Sequence, residues 1–432
     1  MRFAGLGFIV GWACYGIVAT VALTLGSPLG VRTTLGICVA LAASGLLVGR
    51  HVETVDLVPA PRYFRFPVGR MFAVLLFAYL AVLAWRSVPG QADTNWDSWA
   101  FWLPKARSLY YFHGLDSGLG GFVHFANQDY PPLGPALEAT NFHFMGSTVA
   151  APLQFQHWLF AVAFFAAGAA LLRHRVAPEL LWPVLAAVAF MPRFGSYLGS
   201  SLPDETIGML VALAAVCAAL WLLERRLTYV LLMTILTTAA ALLKNEGLVY
   251  GLSVVVVVAV VAWRQERRPL LAVAVFAIPI LALVPWKLWL VTHGLSASSP
   301  YYGLHDLAPL HLVAARGRLG TSIVEVAGYL FSPSRWLFVV PMALIAVVVA
   351  RRQPLLTVLV GVFAFFSLAG LLLIYWIGSI PLHFWLATSA ERTVMAIVIT
   401  CGVLIPLLVA ESVERGRIGS APDARRLPDS GP

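Results

Sequence analysis

"VYGLSVVVVVAVVAW" occupies Val249 to Trp263 without one charged residue. Lys244-Asn245-Glu246 stands shortly before it, and Arg264-Gln265-Glu266-Arg267-Arg268 directly behind. Ser253 and the Tyr250 hydroxyl aside, the run is apolar, with neither a polar stripe nor alternation, so it belongs in lipid. The lack of alternation also decides between the two structures that can span a bilayer. A barrel strand alternates lipid-facing and lumen-facing residues, whereas a helix satisfies its backbone internally and can be apolar all round. The expected fold class is therefore all-α, a polytopic membrane protein.

The rest of the chain repeats the pattern. It is 60% hydrophobic and only 11% charged, where soluble domains carry about 25% charged residues. Apolar runs place about twelve transmembrane helices, roughly at 3–25, 28–49, 68–88, 150–172, 177–192, 204–223, 227–243, 247–263, 269–292, 335–350, 355–376 and 391–411. The region 310–331 fits a further interfacial or re-entrant helix. Residues 1–412 read as one transmembrane domain, and 413–432 as a polar, disordered cytoplasmic tail. No cleavable signal peptide is apparent, since the run Phe3 to Leu25 is long enough to span and follows only Arg2. Cys14, Cys38, Cys217 and Cys401 each lie in an apolar run with no CxxC and no histidine cluster, and read as small buried hydrophobes.

Basic residues orient the chain. With the N-terminus in the cytoplasm, the inner segments hold Arg2, Arg50, Arg62, Arg65, Arg70, Arg173, Arg175, Arg225, Arg226, Arg264, Arg267, Arg268, Arg351, Arg352, Arg415, Arg417, Arg425 and Arg426. That is 18 of the 29 lysines and arginines. The net charge of +9 thus follows mostly from topology, and no nucleic-acid partner is expected. Both termini are expected in the cytoplasm, and the long connections 89–149, 293–334, 193–203 and 377–390 on the outer face of a cytoplasmic membrane. Long loops in a compact protein usually have a function.

Four separate parts of the chain bring charge to that outer face. "DTNWDSWAFWLPKARSLYYFHG" (Asp93 to Gly114) sets Asp93 and Asp97 among three tryptophans, with Lys105 and Arg107 following. Trp99, Trp102, Ala106 and Leu109 recur at helical spacing, so an interfacial helix is expected, broken or restarted at Pro104. Thr94 and Asp97 also fit a capping box, which leaves a helix-terminal role open for Asp97. "FANQDYPPLGPALEA", which closes the same loop, supplies Asp129 and Tyr130, with Asp129 open as a turn residue. "SSLPDETIGML" supplies Asp204 and Glu205, also readable as N-cap and first-turn acids. "ALLKNEGLVYG" supplies Lys244 and Glu246 in a turn too short to be a loop, where Lys244 also fits a snorkelling role. "LATSAERTVMAIV" supplies Arg392 at a helix N-terminus, where a cation needs an anionic partner: Glu391 or a ligand phosphate.

No Walker A, GxGxxG, HExxH or GxSxG pattern is present. The available chemistry is carboxylates, able to take a proton from a hydroxyl or hold a divalent metal, beside cations able to hold a phosphate. On the outer face an activated donor has to be membrane-borne, and a lipid-linked sugar phosphate meets that condition.

The same motifs resemble the GT-C superfamily of polyprenyl-phosphate-dependent glycosyltransferases, in particular bacterial relatives of protein O-mannosyltransferases and lipid A aminoarabinose transferases. "NWDSWAFWLPKAR" resembles the family's first outer loop, and "QDYPPLGPAL" the Tyr-Pro-Pro-Leu return of that loop. "LPDETIGML" is similar to its second-loop aspartate, "LLKNEGL" to its Thr-Lys-x-Gly element, and "TSAERTVM" to the arginine before its last span. The likeness covers roughly residues 70–400. It departs in having two or three spans before the first-loop acid, two candidate aspartates there, and the additional Glu246.

The resemblance implies a GT-C-like fold whose long outer loops carry interfacial helices, and an inverting transfer. Asp97, or else Asp93, would be the general base. Asp204, alone or with Glu205, would orient the acceptor or a metal. Lys244, Arg392 and Lys105 would bind the donor phosphate, with Asp129, Tyr130, Glu205 and Glu246 supporting or contacting the acceptor. The implied partners are a polyprenyl-phosphate-linked sugar, membrane lipids and a glycan, lipid or protein acceptor. No cofactor is fixed, and a divalent metal stays open. The alternative is a transporter or flippase for a lipid-linked or small polar substrate.

Overall fold

The computed structural model describes residues 3–49, 67–87, 95–115, 122, 127–299 and 301–419. Among these residues every regular element is a helix. The opening run forms α11 (Asn245–Arg264), bounded by the polar residues that flank it in sequence. Eight helices are long and apolar enough to cross a membrane. Besides α11 they are α1 (Ala4–Thr24), α3 (Val68–Ser87), α6 (Ala151–Leu172), α9 (Pro203–Glu224), α12 (Pro269–Thr292), α17 (Pro354–Ile377) and α19 (Glu391–Gly419) with the turns before it.

The other four expected spans are helical but shorter. They are α2 (Val31–Gly49), α7 (Pro178–Ala189), α10 (Leu227–Leu243) and α16 (Val339–Val349). The expected span at 335–350 is cut by Leu337, whose φ is +52°, which separates the single turn α15 (Pro333–Trp336) from α16. The region 310–331 forms α13 (Pro309–Ala314) and α14 (Arg316–Leu330). The tail departs from expectation: α19 continues to Gly419, because extending an existing helix is far easier than starting one. Residues 420–432 lie outside the described residues.

α9 is the central helix and is buried along nearly its whole length, packed by α6, α10, α11 and α19. Its contact surface is rich in small residues, with Gly208, Ala212, Ala215 and Ala219 all buried. Lipid tails are as apolar as the side chains, so helices in a membrane associate through close packing, which small residues permit. A Cβ at Gly208 would stand 3.2 Å from the Ala396 Cα in α19. The outer helices α3, α12 and α17 instead expose Val74, Trp85, Leu281 and Phe365, the surface that lipid would cover.

The two ends of the bundle differ in charge. At one end Glu224 accepts from His174 Nε2 (2.7 Å) and Arg175 Nε (2.9 Å), and Arg175 Nη1 reaches Glu411 (2.8 Å). This cluster ties the ends of α6, α9 and α19 together beside the basic loops. The residues singled out for chemistry lie at the opposite end, where α9, α11 and α19 begin.

Candidate active site

Asp97 stands just before a π-helical turn, Ser98–Trp102, that runs directly into α4 (Leu103–Phe112). The α-helix thus restarts at Leu103 with Pro104 in its first turn, the π turn bridging the join instead of a break. A proline has no N–H to give and its ring crowds the carbonyl four residues back. The wider π turn absorbs this, with the Leu103 N–H donating to Ser98 O. The Asp97 carboxylate makes no capping bond; its own backbone N–H donates to Asn95 Oδ1 (3.1 Å). It accepts instead from Arg392 Nη1 at 2.5 Å, across 295 residues of sequence.

Arg392 also follows a π turn, Leu386–Ala390, which joins α18 (Leu382–Trp385) to α19. It is thus not at a free helix N-terminus, and the carboxylate it bonds is Asp97 rather than Glu391. Glu391 is taken by Arg193 (2.5 Å), Arg335 (2.7 Å) and the Tyr197 hydroxyl (3.2 Å). The Arg392 Nε donates to Thr388 O (3.1 Å), which fixes the guanidinium from behind.

Lys244 is the one extended residue between α10 and α11, with φ −162° and ψ 153°. Its ammonium does not snorkel. It is buried, and contacts Asp204 Oδ1 (2.9 Å) and Glu246 Oε1 (3.3 Å) 5.6 Å from the Tyr130 ring. The sharp turn depends on Gly247, where any Cβ would run into the Ala240 carbonyl. Asp204 and Glu205 follow Leu202 as N-cap and Pro203, so they sit two and three positions past the cap. Both are buried, and Glu205 Oε1 has no hydrogen-bond partner among the described residues.

A cavity of about 600 Å³ opens between these elements. Asp97, Tyr130, Lys244, Glu246 and Arg392 line it together with Asn95, Trp102, Tyr197, Tyr302, Tyr375 and Trp385. Trp102 and Tyr130 stack with ring centroids 5.7 Å apart and planes 6° apart, which makes one wall a flat aromatic platform. Leu371 and Ile374 of α17 form an apolar side.

Four predicted residues stand apart from this wall. Asp204 and Glu205 lie behind it, Asp204 reaching the cavity only through Lys244. Asp129 is a buried turn residue that accepts from Asn245 Nδ2 (2.6 Å), while its carbonyl accepts from Trp286 Nε1 (3.0 Å) and Lys287 Nζ (3.2 Å). Lys105 is fully buried beside the rings of Phe101, Trp102 and Phe122, its ammonium donating to Asn127 O (2.7 Å). Burial, partly opposed by the Asp129 carboxylate, lowers Lys105 to about 7. It supports the Asn127–Tyr130 turn from behind and does not face a ligand in the cavity. Asp93 and Thr94 lie outside the described residues.

Burial, followed by the Glu246 carboxylate, holds the Tyr130 and Tyr302 hydroxyls protonated, and burial with Glu391 raises Tyr197 to about 12. These tyrosines are therefore neutral hydrogen-bonding groups. Among the described residues no group of three or more His, Cys, Asp or Glu side chains is placed to hold a metal ion. Asp97 and Asp204 each hold a cationic side chain instead.

Sequence reasoning missed Tyr197, Tyr302, Tyr375 and Trp385, whose only signal was membership of outer connections or a span end. Compared with family models, curated proteins and solved structures, the chain matches none of them.

Proposed function

We propose that this protein is a membrane glycosyltransferase of the GT-C type. It moves a sugar from a polyprenyl-phosphate carrier to an acceptor hydroxyl at the extracytoplasmic end of the bundle, with inversion. The observation that supports this reading is one cavity wall combining Asp97, Lys244 and Arg392 with stacked aromatic rings and an apolar side. Aromatic faces suit sugar rings, the two cations suit a phosphate, and Leu371 and Ile374 on α17, whose opposite face exposes Phe365 and Phe366, suit the start of a prenyl chain.

In the reaction, the acceptor oxygen attacks the anomeric carbon as the bond from that carbon to the phosphate oxygen breaks. Asp97 takes the acceptor proton, and the leaving polyprenyl phosphate gains a negative charge that Arg392 and Lys244 neutralise. Asp204 positions Lys244, and Glu246 shares it. No step is assigned to a metal, because the acids at the wall are already engaged with cations. In this reading the shorter α7, α10 and α16 complete their crossings with the turns that flank them, α10 is shielded by α1 and α9, and the basic loops face the cytoplasm.

The test is sugar transfer in proteoliposomes from a synthetic polyprenyl-phosphate donor. Asp97→Asn is expected to lower the rate by at least about a hundredfold, the scale of a lost general base, with unchanged insertion. Full activity in that variant sinks the assignment, and the same substitution at Asp93 reads the other acid. Movement of substrate across the bilayer without chemical change would support a transporter instead.

A further inference from the structure

The base and the phosphate-binding cation of the proposed site are bonded to each other. Arg392 Nη1 donates to Asp97 Oδ2 at 2.5 Å, both side chains line the cavity, and both are only partly exposed, 12% and 23%. Asp97 is the carboxylate bonded to Arg392; Asp204 also acts on the guanidinium electrostatically, but its hydrogen bond goes to Lys244. Glu391 is committed to Arg193 and Arg335, and Lys244 to Asp204 and Glu246. While the guanidinium occupies Asp97 Oδ2, that oxygen is not free to meet an acceptor hydroxyl, and a guanidinium cannot yield by losing its proton. The pair can open only by exchange of partners.

A phosphate is the natural competitor. It offers two oxygens to the planar guanidinium, in the geometry arginine prefers. The Nε–Thr388 bond anchors the guanidinium from behind, so it stays at the wall while its partner changes. Asp97 directly precedes one π-helical turn and Arg392 follows another with Glu391 between, and these are the two π turns among the described residues. Such turns are common where a helix serves a site and can shift its register.

We infer that Asp97 and Arg392 form a substrate-released latch. The donor phosphate takes Arg392 from Asp97, and the freed carboxylate then accepts the acceptor proton. This rests on the glycosyl-transfer reading above and adds an order to it: the donor binds before the base becomes competent. After transfer, Asp97 gives its proton to solvent and its carboxylate again competes for Arg392, which helps discharge polyprenyl phosphate. The pair thus couples product release to resetting of the base.

The experiment measures polyprenyl phosphate binding to the full chain in nanodiscs, for wild type, Asp97→Asn, Arg392→Gln and the double variant. The latch predicts that Asp97→Asn tightens binding by about tenfold, the size of one charge-assisted competitor removed. Arg392→Gln weakens binding, and in that background Asp97→Asn changes affinity less than about twofold. Unchanged affinity in Asp97→Asn overturns the latch while leaving the glycosyl-transfer reading in place. Equal tightening in the Arg392→Gln background also overturns it, since the effect is then only general removal of negative charge. No binding to the wild type overturns the carrier assignment and the latch with it. If Asp97→Asn is not recovered folded, Asp97→Ser is read by the same criteria.

Discussion

Lys105 shows how one side chain can mislead a sequence reading. A lysine following tryptophans in an outer loop fits a phosphate ligand, yet its ammonium is enclosed by three aromatic rings and held by Asn127 O. Enclosure lowers it to about 7, against an ordinary 10.5. The sign follows directly. Between those two values the unfolded chain holds a proton that the folded chain has lost, so stability rises with pH there, by about 1.4 kcal/mol per unit at most. Below pH 7 the full penalty of a buried ammonium applies. The apparent unfolding temperature in detergent is therefore expected to climb from pH 7 to 9, and Lys105→Met is expected to remove that slope. A wild-type slope that survives in the variant would place the titrating group elsewhere. Asp97 was legible as a candidate because charge is scarce in this chain. Its partner was not, because 295 residues separate it from Arg392 and nothing in either motif names the other.

At the scale of elements, the α10–α11 turn carries Lys244 into the cavity wall, and a single glycine permits it. Gly247→Ala puts a methyl group into the Ala240 carbonyl, so either the helices part or the turn unwinds. The expected cost is about 1–3 kcal/mol, typical of overpacking, with loss of activity because Lys244 moves. Gly134→Ala is the matched control, since its Cβ meets only Leu243 Cδ2 at 3.5 Å, an ordinary contact. Equal thermal stability and activity in both variants would refute this account of the turn. The amphipathic spacing from Trp99 to Leu109 correctly marked a helix in the first loop. Of the two outcomes expected at Pro104, the helix restarts rather than breaks, because a proline's local cost can be met by a π turn, and that choice depends on what the neighbouring helices hold in place.

Across the whole molecule, hydrophobic runs and basic loops predict which end faces which compartment. Single cysteines in a chain whose four native cysteines are replaced by alanine give a direct reading. Gly294→Cys, between α12 and α13, is expected to react with a membrane-impermeant maleimide on intact cells. Gln265→Cys, between α11 and α12, is expected to react only after permeabilisation. The opposite pattern would invert the topology and move the cavity to the cytoplasmic face. The bundle itself explains why charged residues from four distant segments converge, since α9, α11 and α19 all begin at the end where the first loop returns.

Helix class, the approximate positions of the helices and the list of costly charges are properties of neighbouring residues, so they can be read along the chain. Apolar runs have to be helical in lipid, and a charge among them stands out whatever the fold. The pairing of Asp97 with Arg392 and of Asp204 with Lys244, the withdrawal of Lys105 and Asp129 behind the wall, and the aromatic platform of Trp102 on Tyr130 depend on which helices pack together. Those contacts join residues far apart in sequence, through close approach of small side chains whose pattern does not specify a partner. Only the folded bundle selects among the possible pairings, and it gives the acid that the sequence singled out a cation it did not.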